Sequence, residues 1–225
     1  MNSNLNRLSV ALVALLVSST TPMLAQLPKL PTKPTTTVTP VITTDTVKTA
    51  ATPTAVATDS TATALDGAVA ASAKGDNAAT AQALETSTKA MDAEAEKSSG
   101  DFKDKLSGQT GKLKALIPMA KAGLLKGDIL TKAIGFAKTA LAANRLSGLL
   151  GGGSGLVGKA AALTGGLNLM KGGLGGIGGS ALGGGSSLID GALGSVGKLG
   201  SLGSAAEPAV KSQLGGVLNF AKGIL

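Results

Sequence analysis

Apolar residues recur at helical spacing in the central part of the chain. Leu130, Ile134, Ala137 and Leu141 follow one another at intervals of three or four residues, which places them on one face of an α-helix. Asp128 precedes this stripe, so we expect its carboxylate to cap the N-terminus of the helix, and a run of glycines ends it. The pattern predicts a helix packed on its neighbours, with docking on a membrane surface as the alternative.

A second helical stretch lies closer to the N-terminus. Asp76 or Asn77 provides a cap signal before a segment of strong helix formers. Its apolar face consists mostly of alanine, together with Leu84 and Met91. So thin an apolar face needs a partner helix to be stable.

Charged residues in these stretches are predicted to lie in solvent. Asp92, Glu94 and Glu96 alternate with smaller residues, which indicates a solvated helix face. A pair of carboxylates that exchanges protons with a substrate would need burial to tune its pKa values. Arg145 is expected in the last turn of the helix that follows Asp128, where a cation suits the helix dipole.

The segment between residues 98 and 125 has a weaker helical pattern. Phe102 and Leu106 are spaced by four residues, and further leucines continue the apolar stripe. Gly108, Gly111 and Pro118 interrupt it. Because a proline inside a helix removes a hydrogen bond and clashes with the preceding turn, we expect two short helices with a kink near Pro118.

Glycine dominates the chain from residue 151 to residue 204. Each glycine in a helix costs about 0.5–1 kcal/mol relative to alanine, so an isolated helix of this composition is unstable in water. Small residues recur at every fourth position and would form a ridge along a helix, a pattern typical of helices that touch along their backbones. A competing period of three residues favours extended or turn-rich structure. We predict a self-associating region that is partly helical and partly irregular. The ridge consists of Gly175, Gly179, Gly183, Ser187, Gly191 and Ser195.

The C-terminal residues 205–225 form another amphipathic pattern. Glu207 and Pro208 indicate the start of a helix. Apolar residues then recur at helical spacing, with lysines outside the stripe, which predicts a helix that docks on the rest of the protein. A short membrane-active helix is the alternative. The apolar face consists of Val210, Leu214, Val217, Leu218 and Ala221.

The N-terminal segment lacks such packing patterns. Arg7 precedes an apolar run of ten residues, and small residues follow, which is the layout of a secretory signal peptide that ends at Ala25. Residues 26–63 are dominated by threonine and proline, a composition typical of a disordered, extended spacer. An O-glycosylated stalk is the alternative for this spacer.

The residue types that the chain lacks narrow its chemistry. It has no cysteine and no histidine, which excludes disulfides, thiol catalysis, Cys/His zinc sites and histidine general bases. With three phenylalanines and neither tyrosine nor tryptophan, any core consists of Leu, Ile, Val and Ala. We therefore predict no catalytic residue, no cofactor, no cofactor-binding residue and no metal site. An exported chain without cysteine favours a bacterial envelope or secreted protein.

Positive charge is concentrated in the second half of the chain. The formal net charge is +8, and residues 101–225 contain 14 Lys or Arg against 5 Asp or Glu. This excess would attract anionic lipid or a cell-surface polyanion. Nucleic acid is a weaker candidate partner, because the lysines are dispersed and no tyrosine or tryptophan is present to stack on bases.

Together these patterns predict a mainly α protein with five regions. They are a signal peptide (1–25), a Pro/Thr-rich spacer (26–63), a helical region (64–150), a glycine-rich low-complexity region (151–204) and a C-terminal amphipathic helix (205–225).

For the function, we predict a secreted or periplasmic, non-enzymatic structural or interaction protein of the cell envelope or extracellular space. It would associate with itself or with a surface through its basic helical and small-residue-rich part. The alternative is a secreted membrane-active factor of toxin or bacteriocin type, whose small-residue ridge assembles in the target bilayer. A disordered chain without a partner is a third interpretation.

Overall fold

Seven α-helices follow one another in the part of the chain that the structure describes. The structure is a computed structural model, and it describes residues 56–153, 155–178 and 182–225, so the predicted signal peptide and most of the predicted spacer lie outside it. The helices are α1 (Val56–Ala73), α2 (Asn77–Glu96), α3 (Asp101–Lys121), α4 (Gly127–Gly151), α5 (Ala160–Ile177), α6 (Gly183–Leu202) and α7 (Glu207–Ile224). Short 3₁₀ segments precede α5 and α7. The described residues contain no strand, and the prediction of a mainly α protein is confirmed.

Local sequence signals explain several helix boundaries. The Asp76 side chain accepts a hydrogen bond from the backbone N–H of Ala79 at 2.9 Å and caps α2. α7 begins at Glu207, with Pro208 in its first turn. A glycine with a positive φ angle, where a side chain would strain the backbone, follows each of α1, α2, α3, α5 and α6. These glycines are Gly75, Gly100, Gly123, Gly178 and Gly203.

The first four helices form a closed ring around one apolar core. Each helix contacts the next one in the chain, and α4 also contacts α1. The ion pairs Glu85–Lys121 and Asp92–Lys114 show that α2 and α3 are antiparallel, since the residue number rises along one as it falls along the other. The largest core side chains are Leu65, Leu84, Met91, Leu106, Leu113, Leu130, Ile134 and Leu141.

α4 also closes a second ring of helices. α5 packs against α4, α6 packs against α5, and α7 packs against both α6 and α4. The second core therefore uses the opposite side of α4 from the first core. Phe102 of α3 also lies in this core. The other large buried side chains of the second core are Leu146, Leu156, Leu163, Leu167, Met170, Leu174, Ile177, Ile189, Val196, Leu199, Val210, Leu214 and Val217.

The glycine-rich region is more helical than its composition suggests. α5 and α6 occupy most of residues 151–204. The reason lies in the apolar residues between the glycines, because Leu163, Leu167, Met170 and Leu174 recur every three or four residues and are all buried. Burial of this stripe against α4 and α6 offsets the low helix propensity of glycine.

Glycine lets the backbones of α4 and α5 touch. A Cβ atom added at Gly135 would lie 2.6 Å from the carbonyl oxygen of Gly173, and one added at Gly173 would lie 2.7 Å from that of Gly135. Gly166 provides a similar close approach, since an added Cβ would lie 2.9 Å from the side chain of Leu146. Because the atoms that Gly135 and Gly173 face belong to the backbone, this spacing requires glycine at both positions, whereas at Gly166 the Leu146 side chain would have to shift.

The prediction of two short helices with a kink near Pro118 is wrong. α3 is a single helix from Asp101 to Lys121, and it contains Gly108, Gly111 and Pro118. Both glycines lie on its exposed side, and Pro118 lies in its last turn, where only the end of the hydrogen-bond ladder is affected. Packing against α2 and α4 keeps the helix continuous.

The predicted start of α4 also needs correction. α4 begins at Gly127, Lys126 occupies the N-cap position, and no side chain makes a capping hydrogen bond there. Asp128 lies in the first turn, where its charge still interacts favourably with the helix N-terminus. At the other end of the helical region, α1 begins at Val56, ahead of the boundary at Ala64 that composition predicts.

We predict opposite effects for two glycine substitutions. Gly135→Ala forces a Cβ into the backbone of α5, and we expect it to lower the free energy of unfolding by about 1–3 kcal/mol. At Gly194 of α6 an added Cβ meets nothing within 4 Å. Gly194→Ala should therefore raise the free energy of unfolding by about 0.5–1 kcal/mol through helix propensity alone. Chemical denaturation followed by circular dichroism measures both, and effects of the same sign would contradict this account.

Candidate interaction surfaces

The predicted small-residue ridge is divided between two helices. Gly175 lies on α5, and Gly179 lies outside the described residues. α5 ends at Ile177, and Gly178 has a φ of 71°, so the chain turns there. The six ridge residues therefore do not lie along one continuous helix, because apolar packing rather than the glycine period decides where these helices end. The other four ridge residues, Gly183, Ser187, Gly191 and Ser195, lie on α6.

α5 and α6 together present a surface of small residues to solvent. The two helices are adjacent, and Lys171 Nζ donates to Asp190 Oδ1 across them at 2.6 Å. At most of their exposed glycines an added Cβ would meet nothing within 4 Å. We define the small-residue surface as Gly165, Gly172 and Gly175 of α5 with Gly184, Ser187, Gly191 and Gly194 of α6.

Packing inside the protein does not require glycine at most of these positions. Alanine would fit at Gly165, Gly172, Gly175, Gly184 and Gly194 without a contact, and each glycine there costs about 0.5–1 kcal/mol relative to alanine. The open glycines thus differ from Gly135 and its partners, which the α4–α5 contact needs. On the small-residue surface another backbone could approach closely at these open glycines. Open helical glycines also lie outside it, for example Gly108 and Gly111 of α3.

The α5–α7 part of the chain keeps an excess of positive charge. Asp190 and Glu207 are the two carboxylates of residues 129–225. Lys171 pairs with Asp190, and Lys211 pairs with Glu207 at 3.9 Å. Lys198, exposed on α6, forms no salt bridge with the described residues. A partner on this side therefore meets lysine charge that carboxylates do not balance.

A half-buried polar cluster joins α2 to α4. Arg145 donates from Nη2 to Glu94 Oε2 at 2.7 Å and from Nε to Oε1 at 2.5 Å. Asn144 Nδ2 donates to Ser98 Oγ at 2.6 Å, and the Ser98 hydroxyl donates to the carbonyl oxygen of Glu94 at 2.7 Å. The side chains of Arg145 and Glu94 are 14% and 23% exposed. A bidentate pair that is mostly out of water fixes both position and angle.

The sequence patterns misplaced both members of this pair. Glu94, predicted on a solvated face, is half-buried, whereas its neighbour Asp92 forms an exposed salt bridge with Lys114. Arg145, predicted in the last turn of α4, lies more than one turn before the end at Gly151. One available signal was that Arg145 is the single arginine after Arg7.

A shallow cavity of about 350 Å³ opens beside the polar cluster. It offers hydroxyl and ammonium donors, but no buried side-chain polar atom of the described residues is left without a partner to mark a ligand position. Nor does that part of the chain contain a group of three or more acidic residues that could hold a metal ion. The hydrogen bonds of the cluster link α4 to Glu94 of α2 and to Ser98, which follows α2. The cavity is lined by Lys97, Ser98, Ser99, Ser147, Gly148 and Gly151.

The comparisons with known proteins add no family. The chain matches no protein-family model, no curated protein and no solved structure. Within residues 56–153, 155–178 and 182–225, no helix has the length and hydropathy needed to span a membrane. The proposed function therefore rests on the surfaces of this chain alone.

Two surface ion pairs hold carboxyl pKa values low. Lys222, in the last turn of α7, pairs with Asp101 in the first turn of α3. The hydrogen bond and positive charge of Lys222 lower the pKa of Asp101 below its ordinary 3.8. Lys121 acts in the same way on Glu85, at 2.7 Å, and lowers its pKa below 4.5. These pairs link α7 to α3 and α3 to α2.

Acid is expected to weaken these links. A carboxyl group whose pKa is lower in the folded state stabilises that state above its unfolded pKa, and this contribution disappears as the pH falls through the folded pKa. The denaturation midpoint should therefore fall as the pH drops below about 4.5 for Glu85 and 3.8 for Asp101. In the Glu85→Gln/Asp101→Asn variant, the decline between pH 5 and pH 3 should be shallower, as measured by circular dichroism. An unchanged slope would contradict the assignment.

Removing Arg145 should destabilise the fold much more than removing an exposed lysine. Arg145→Ala leaves the half-buried Glu94 carboxylate without its bidentate partner, so we expect a loss of about 2–3 kcal/mol in the free energy of unfolding. Lys114→Ala, which breaks the exposed pair with Asp92, is the matched control and should cost less than about 1 kcal/mol. Urea denaturation compares the two. Equal losses would mean that the cluster does not join α2 to α4 as described.

Proposed function

We propose that this chain is an exported, non-enzymatic structural or interaction protein of the cell envelope or extracellular space. In this proposal it associates with copies of itself through the small-residue surface on α5 and α6. Its surplus of lysine then holds the assembly near anionic material such as a cell-surface polyanion. Export rests on the signal-like N-terminal segment, which lies outside the described residues.

One observation carries this proposal, namely the open glycines of α5 and α6. Glycine at a solvent-facing helix position lowers stability and gives nothing to the packing of the protein itself. A second backbone that packs against these positions would use the absence of side chains, as closely packed helices do elsewhere. The contact between Gly135 and Gly173 provides an internal example of that geometry in the same chain.

The alternative function, a membrane-active factor, makes a different demand on the same helices. It requires α5 and α6 to leave their core and insert with their apolar faces toward lipid. In the described residues those faces are buried against α4 and α7, and the exposed positions are mostly Gly, Ser and Lys. Self-association of the folded protein needs no such rearrangement and is therefore the simpler proposal.

The proposal is tested by measuring self-association in the absence of lipid. We expect sedimentation velocity of the purified chain to show oligomers whose fraction rises with concentration. Gly172→Gln/Gly194→Gln places two large polar side chains on the small-residue surface, at positions where an added Cβ atom meets nothing within 4 Å. This variant should raise the dissociation constant by at least about tenfold.

Gly111→Gln provides the matched control, because Gly111 is an exposed helical glycine with open space on α3. All variants carry the same N-terminal segment, so a difference between them reports on α5 and α6. A wild-type chain that stays monomeric at high micromolar concentration would refute the proposal. An equal effect of Gly111→Gln would refute the assignment to this surface.

A further inference from the structure

The exposed large apolar side chains are unevenly distributed over the described residues. Three of the six lie around the connection between α3 and α4, namely Met119, Leu124 and Ile129, which are 37%, 70% and 45% exposed. The backbone N–H of Leu124 donates to the carbonyl oxygen of Met119 at 2.9 Å, which brings these two residues together. Ile129 follows Leu124 by five residues, in the first turn of α4. We call these three residues the apolar tip.

The connection at the opposite end of α3 is polar. The residues between α2 and α3 are Lys97, Ser98, Ser99 and Gly100, none of which is apolar and large. A connection between helices therefore need not carry leucine in this fold. The apolar tip is a specific feature of one end of the first ring.

Lysines without salt-bridge partners surround the apolar tip. Lys126 and Lys132 flank Ile129 along the chain, and neither forms a salt bridge with the described residues. Lys74 lies in the turn between α1 and α2, at the same end of the first ring. The position of this turn follows from Asn77, because a Cβ atom added at Gly123 would lie 2.8 Å from the side-chain nitrogen of Asn77.

The carboxylates at this end already have structural partners. Asp76 caps α2 through the Ala79 N–H, and Glu85 pairs with Lys121. Asp128 stands in the first turn of α4, where its charge offsets the positive end of the helix dipole. Asp76 and Asp128 keep their negative charge in these positions. With the Glu85–Lys121 pair neutral, three lysines (Lys74, Lys126 and Lys132) face two carboxylates, so a small positive excess remains at the apolar tip and complements an anionic surface.

We propose that the apolar tip docks the folded protein on an anionic lipid surface, with Leu124 inserted among the headgroups and the surrounding lysines at the level of the phosphates. Three partly exposed side chains form a patch on the order of a few hundred Å². That is less than half of the roughly 800 Å² per partner in a standard protein interface, so the patch is too small for a stable dimer. Shallow insertion of an apolar tip with lysines around it is a recognised way to hold a protein at a membrane interface.

This docking goes beyond the proposed self-association and uses different residues. The small-residue surface lies on α5 and α6, whereas the apolar tip lies between α3 and α4. The two can therefore fail independently. Self-association is measured without lipid, and docking is measured at low protein concentration with lipid.

The absence of tryptophan from the chain allows a site-specific test. In the full chain, Leu124→Trp places the single tryptophan at the apolar tip. Leu202→Trp places it at another exposed leucine, which is 58% exposed at the end of α6. On addition of vesicles with about a third anionic lipid, we expect a blue shift of the emission and quenching by brominated lipid at residue 124 only. Any binding through the N-terminal segment alone would leave both positions unchanged.

Charge variants complete the experiment. In the Leu124→Trp background, Lys126→Gln/Lys132→Gln should lower the partition coefficient onto anionic vesicles by about tenfold or more. Lys112→Gln/Lys198→Gln removes the same net charge at exposed positions of α3 and α6. We expect this control pair to lower the partition coefficient much less than the Lys126→Gln/Lys132→Gln pair does. No blue shift at residue 124, an equal shift at residue 202, or equal losses from the two lysine pairs would overturn the proposal. Far-UV circular dichroism verifies that each variant keeps its helix content.

Discussion

The enclosure of α4 between two apolar cores is the constraint on which the rest of the fold depends. Every residue from 137 to 144 is buried, so for two turns this helix has no solvent-facing side. A helix that is covered all round belongs at the centre of a protein. Half of these eight residues are alanine, which keeps the two cores close to each other. A larger side chain here would press on α1–α3 or on α5–α7, whichever side it faced.

The buried polar residues of α4 are compatible with this enclosure because each has a hydrogen-bond or salt-bridge partner. Thr139 donates to the carbonyl oxygen of Gly135 at 2.9 Å, which satisfies its hydroxyl inside the helix itself. Lys138 extends to Asp66 of α1, and Arg145 and Asn144 bind the end of α2. An unpaired polar group at such a depth would be costly. These partners therefore also restrict how α1 and α2 can be placed against α4.

Sequence patterns predicted the parts of this fold that depend on local apolar spacing. The face of Leu130, Ile134, Ala137 and Leu141, the Asp76 cap and the C-terminal helix are all present. The patterns failed where neighbouring helices override local propensity. Pro118 predicted a break in α3 that packing prevents. The glycine repeats predicted irregular structure in α5, where buried leucines stabilise a helix. The pairing of Glu94 with Arg145 links residues 51 positions apart, and no local period contains that information.

Two kinds of helical glycine emerge, and composition alone cannot separate them. Gly135, Gly166, Gly173 and Gly185 face neighbouring atoms so closely that a Cβ would collide with them. The open glycines of α5 and α6 meet nothing, yet they lower helix stability just as much. The apolar side chains of α4 to α7 bury a core of their own, so the second ring can tolerate that loss. The packing of the fold does not require glycine at these open positions, and the proposed contact at the outer surface of α5 and α6 would use the absence of side chains there.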